Sequence, residues 1–165
     1  MTAAVAAREL GSAIGALVLV DPTFISPEWQ REVFESGVAD QHRQALTPSR
    51  ESLLATARAE HPTRPDEMSE YLADAVLRTD LRAFEILTPP NPEFRALIAG
   101  IAAPTLLILG ERGIVSPETA RELQALNPQV TFDQIANVGH GLTYDDPAAV
   151  GAIASAFLER LKLVA

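Results

Sequence analysis

The stretch VTFDQIANVGHGLTYDDP, residues 130–147, holds a strand, a tight loop and a helix start in close succession. Val130 to Ile135 alternates apolar and polar side chains, the pattern of a strand with one buried face. The apolar run stops at Gly139-His140-Gly141. A histidine just past a strand, held between two glycines, is placed like a catalytic base. Imidazole titrates near neutral pH, so it can take a proton from a nucleophile and return it to a leaving group. The glycines allow a tight turn and close approach to a ligand. Asp146-Pro147 then opens a helix, an oxygen that can accept an orphan N–H followed by a residue that has none to lose. That helix carries Val150, Ile153, Phe157, Leu158 and Leu161 on one face. His140 is therefore the candidate base, and a base needs a nucleophile to activate.

Upstream, PTLLILGE gives a second strand over Thr105 to Leu109, and Ser116-Pro117 opens a helix with Leu123 and Leu126. Further back, ALVLV at Ala16 to Val20 follows an alanine-rich helix that stops at Gly11. Both strands are short and continuously apolar, as in a parallel sheet covered on two faces. Strand, helix, strand, helix at this spacing predicts an α/β fold with three parallel strands. Between about Ser26 and Pro92 lies a helical insertion with no convincing strand. Its helix starts are expected at Ser26-Pro27, Thr47-Pro48 and Asn91-Pro92, and its clearest helix carries Met68, Tyr71, Leu72, Ala75 and Val76. Trp29, Phe34, Met68, Tyr71 and Phe84 are expected to pack inside it, with His42 and His61 at the surface. LTPPNP breaks the chain before a stripe of Phe94, Leu97, Ile98 and Ile101.

The totals bound the function. At 165 residues the chain is long enough for one domain with a sizeable core. A formal net charge of -9, with the basic residues scattered, disfavours nucleic acid and anionic membrane as partners. The absence of cysteine removes disulfides, thiolate metal sites and a cysteine nucleophile, and fits a cytoplasmic protein. No apolar run approaches the ~18 residues of a membrane span. The apolar N-terminus is interrupted by Arg8 and Glu9 and lacks a basic start, so it reads as part of the fold and not as a signal peptide. Nothing points to a cofactor. Asp145 and Asp146 have no second histidine near His140, so no metal site is expected, and Asp146 reads as the helix cap.

GALVLVDPTF, then a helical stretch, then IAAPTLLILGERGIVSPETARELQALNP and IANVGHGLTYDDPAAVGAIASAFLERL, resembles the C-terminal part of an α/β-hydrolase. The resemblance covers essentially the whole chain but only about the latter half of that fold. It implies an incomplete α/β-hydrolase fold in one piece, 1–165: the last three strands, with residues 26–92 as the helical cap. It also implies hydrolysis of an ester or similar bond in a small, partly apolar substrate, with His140 as base. The family's nucleophile sits on a sharp strand-to-helix turn, G-x-S-x-G in its serine enzymes. No serine here has glycine two places before and two after. By resemblance, MTAAVAAREL is the helix that follows that turn, so the elbow is expected ahead of Met1. Many members carry the acid as G-x-x-D after the second-last strand. This chain has Gly110-Glu111-Arg112-Gly113, with glycine where that aspartate would stand. Some relatives place the acid one strand earlier, which corresponds here to Asp21. Asp21 is the preferred partner of His140 and Glu111 the second candidate; a turn aspartate before Pro22 and a solvated glutamate are their plain structural readings.

Losing the nucleophile and the oxyanion hole together removes the largest catalytic contributions, so the chain alone is expected to be silent. Three explanations fit: a shortened copy of a hydrolase, one half of a split enzyme that docks on an N-terminal partner, or a non-catalytic binding module. The strand at 16–20 has no charge or proline to block edge pairing. It expects a neighbouring strand from missing sequence, from a partner, or from a second copy in a homodimer.

Overall fold

The computed structural model describes residues 1–162. The chain begins with α1 (Thr2–Leu10), ended by Gly11 in a left-handed conformation (φ 52°), and a short 3-10 turn leads to β1 (Leu17–Val20). Four helices follow: α2 (Pro27–Glu35), α3 (Val38–Ala45), α4 (Arg50–Glu60) and α5 (Asp66–Arg78). A 3-10 segment, Leu81–Leu87, leads on to α6 (Phe94–Ala99) and β2 (Thr105–Arg112). The chain then runs through α7 (Pro117–Leu126), β3 (Val130–Gly139), the single turn α8 (Leu142–Asp145) and α9 (Pro147–Arg160). It divides into two compact units, one of Met1–Ile25 with the chain from Pro92 onward, the other of Ser26–Asn91.

The first unit holds a three-stranded parallel sheet in the order β1-β2-β3. Leu106, Leu107, Ile108 and Leu109 of the central strand are all fully buried, because the pleat sends alternate side chains into two different cores. Leu107 and Leu109 face α1, α6 and α7, joining Leu17, Leu19, Ile98 and Leu123. Leu106 and Ile108 face α8 and α9, joining Val18, Val20, Leu142 and Phe157. Each such side chain contributes about 1.5–3 kcal/mol by leaving water. The continuous apolar reading of the strands thus reflects a sheet covered on both faces. β3 runs past Ile135, where the sequence alternation stops, to Gly139.

The second unit is helical throughout, and several local expectations need correction there. Ser26 caps α2 through Trp29 N–H, as the Ser-Pro pair suggests. The helix α4, however, is capped by Ser49 through Ser52 N–H and not by Thr47. Just after this unit, Glu93 and not Asn91 caps α6, its two oxygens taking the N–H groups of Arg95 and Ala96. The buried side of α5 is carried by Ser69 and Ala73, while Tyr71 is 60% exposed and donates its hydroxyl to Glu67. Trp29 and Phe34 are also exposed. His42 is half-buried, its ring against Phe84 and its Nε2 donating to the Thr79 carbonyl at 3.1 Å. Among the described residues no helix is long and apolar enough to cross a membrane.

Candidate active site

Asp21 is the first residue after β1, and its N–H still bonds across the sheet to Ile108 O at 2.7 Å. Its φ of 38° turns the chain out of the strand, a conformation that aspartate tolerates better than most residues. The turn aims the carboxylate inward, where it is fully buried. A buried carboxylate is costly unless its oxygens are satisfied. Here Oδ1 accepts from the N–H groups of Ile114 and Val115, both at 3.1 Å, and Oδ2 accepts from Ile114 N–H at 2.9 Å. Ile114 and Val115 immediately precede Ser116, the N-cap of α7, so the charge also lies at the positive end of that helix.

The remaining lone pair of Oδ2 meets His140 Nδ1 at 2.8 Å. A carboxylate oxygen that accepts here selects the ring form with the proton on Nδ1, which leaves Nε2 as the nitrogen turned away from Asp21. The His140 side chain is 55% exposed although its partner is wholly buried. This is the form a base needs: one nitrogen oriented by a fixed acceptor, the other reachable.

Gly113 completes the arrangement. A Cβ there would come within 2.6 and 2.7 Å of the two Asp21 oxygens. The space a side chain at 113 would take is therefore filled by the carboxylate arriving from residue 21.

Glu111 is bound elsewhere: its Oε2 accepts Asn137 N–H at 2.6 Å. Arg112 Nη2 donates to Asn137 O at 2.8 Å. Together these side chains hold the end of β3 just ahead of the histidine. No sequence signal marks that role, because an exposed Glu-Arg pair reads as surface. Asp146 accepts Ala149 N–H at 3.0 Å as the N-cap of α9. Among the described residues no group of three or more histidine, aspartate or glutamate side chains could hold a metal ion.

No protein-family model matches the chain, and no curated protein matches it. Solved structures do. E-2-(acetamidomethylene)succinate hydrolase is similar over 94% of this chain and 62% of its own, at a TM-score of 0.67 and 14% identity. The enol-lactonase from Burkholderia xenovorans is similar over 96% of this chain and 61% of its own, at 0.64 and 20%. The N-formylmaleamic acid deformylase from Pseudomonas putida is similar over 92% and 61%, at 0.62 and 20%. The chain thus spans a little over three-fifths of the length of each.

Proposed function

We propose that this chain, whose fold is a partial α/β-hydrolase fold, carries the acid–base half of a hydrolase acting on an ester or similar bond. His140 is the general base and then the general acid, and Asp21 is the carboxylate that fixes its tautomer. The observation that carries the reading is the 2.8 Å hydrogen bond between His140 Nδ1 and Asp21 Oδ2. Both residues follow the carboxyl ends of parallel strands, the edge where open α/β sheets bind ligands.

In the proposed reaction Nε2 takes the proton of a nucleophilic hydroxyl as its oxygen adds to the carbonyl carbon. The imidazolium is steadied by Asp21, which stays ionised. Nε2–H then protonates the leaving oxygen, and water repeats the cycle to release the acid. With an aspartate elbow, His140 would activate the water alone. The nucleophile comes from polypeptide outside these 165 residues, since no serine here stands in a G-x-S-x-G turn. The side of β1 that has no partner strand among the described residues is the place where such a polypeptide would add its strand. The helical unit Ser26–Asn91 is read as the cap that selects substrate. Its exposed Trp29, Phe34 and Ile86 suit a small, partly apolar molecule.

The test is hydrolysis of p-nitrophenyl acetate and butyrate. The purified chain alone is expected to stay at the buffer rate. Joined to the polypeptide encoded in frame ahead of Met1, it is expected to turn over, and His140→Ala then lowers kcat by about 10³–10⁴. Turnover by the chain alone that His140→Ala abolishes would contradict the missing nucleophile. In-frame sequence without an elbow, together with no activity, would remove the hydrolase reading.

A further inference from the structure

We infer that Glu111 and Arg112 are positioning residues for His140: they hold the backbone of Asn137 in a bulge of β3 and so set where the histidine loop begins. The inference rests on the reading of His140 as the base. It starts from the register of β2 and β3. Thr105 pairs with Val130, and the offset stays constant up to Gly110 and Ile135. Continued, it would set Arg112 opposite Asn137, yet the partner of Arg112 is Gly139. β3 has taken up two extra residues in a bulge.

Asn137 is the turning point of that bulge, with φ at 61°. Its N–H is taken by Glu111 Oε2 and its C=O by Arg112 Nη2. Side chains of two consecutive β2 residues thus satisfy both backbone polar groups of Asn137, the bulge residue with the positive φ. Gly110 closes the other end: a Cβ there would come within 2.5 Å of Gly139 O, so the strands touch where the bulge ends.

Without the bulge, residues after it would be displaced along the strand by two positions, roughly 6–7 Å at about 3.3 Å per residue. His140 Nδ1 could not then reach Asp21, which is fixed from the other side by Ile114 and Val115. Glu111 and Arg112 are both exposed, so their bonds to Asn137 contribute little to global stability. What they decide is the local conformer.

The experiment uses the full chain and long-range proton–nitrogen NMR of the His140 ring at alkaline pH, where imidazole is neutral. The parent is expected to show Nδ1 protonated, and Asp21→Asn to lose that preference. Glu111→Ala is expected to lower the Nδ1–H fraction by at least about twofold. Glu111→Gln, whose amide oxygen can still accept Asn137 N–H, restores most of it. Arg112→Ala acts in the same direction and serves as the test should Glu111→Ala not fold. Backbone amide spectra of β1 and β2 check that the sheet is intact. A parent-like tautomer in folded Glu111→Ala, or in Arg112→Ala where that variant stands in, overturns the positioning role and leaves the Asp21–His140 pair standing. A ring unaffected by Asp21→Asn is a different failure: it removes the pair itself, and the positioning role with it.

Discussion

Two carboxylate oxygens of Asp21 occupy the volume that a Cβ on Gly113 would need, at 2.6 and 2.7 Å. The aspartate and the glycine are therefore one arrangement divided between two loops. Gly113→Ala forces the carboxylate to move, and it cannot move far without breaking its bonds to Ile114, Val115 and His140. The expected cost is about 1–3 kcal/mol, read as a lower urea midpoint, because overpacking here is compounded by a loosened buried charge. The same variant should lose the Nδ1–H tautomer of His140. An unchanged midpoint and tautomer would mean that the loop shifts freely and that the carboxylate is not fixed. From sequence, Gly113 reads only as a departure from G-x-x-D. Asp21 and Glu111 both remain open as the acid, because the choice depends on which carboxylate the β3 bulge brings within reach. That bulge is built by exposed Glu111 and Arg112 and the polar Asn137, which leave no hydrophobic pattern to read.

Elements in the first unit are fastened by side chains that complete backbone ends. Asn127, which follows α7, is buried; its Nδ2 donates to Ile98 O at 2.8 Å and to Ile101 O at 2.9 Å. Ile98 lies in the last turn of α6 and Ile101 just past its end, so the amide ties off the C-terminus of that helix. Its Oδ1 accepts Gln129 N–H at 3.0 Å and shapes the entry to β3. Asn127→Ala removes all three bonds, and although Ile98 O keeps the N–H of Ile101 at 3.2 Å, the change is expected to cost about 2–3 kcal/mol. Asp146→Ala removes one cap bond at the start of α9 and should cost about 1 kcal/mol. Denaturant unfolding of both variants orders them; an equal or larger loss for Asp146→Ala would contradict the bridging role of Asn127. The caps also show what pattern can and cannot locate. Ser26, Ser116 and Asp146 are legible because each precedes a proline at the first helical position. Thr47-Pro48 and Asn91-Pro92 offer the same pair, but the chain starts both helices two residues later. There Ser49 and Glu93 supply oxygens of their own, so neighbouring caps compete and propensity does not decide between them. Tyr71 fails for a related reason: its ring fits a helical stripe, but its hydroxyl finds Glu67 one turn back on the exposed side.

Among the described residues the sheet has three strands, and β1 has a partner on one side only. The bonds Leu17 N–H to Pro104 O, 2.9 Å, and Asp21 N–H to Ile108 O, 2.7 Å, fix which polar groups face β2. By the two-residue period, Leu17, Leu19 and Asp21 turn theirs toward β2, while Val18 and Val20 turn theirs the other way. Val18 and Val20 thus offer N–H and C=O groups to a further strand, with no charge or proline in Leu17–Val20 to discourage it. In the proposed enzyme that strand comes with the nucleophile. In its absence a second copy of the chain can supply it, so the purified chain is expected to sediment as a dimer or larger in the micromolar range. Val18→Pro tests the geometry specifically. It deletes an outward N–H, costs no bond to β2 and keeps an apolar side chain, so circular dichroism should stay near that of the parent while the sedimenting species becomes a monomer. If parent and variant are both monomers, the open side of β1 is not an association surface for the isolated chain. If both remain dimers, association runs through another surface, and β1 loses its claim as the point where a nucleophile-bearing strand would join.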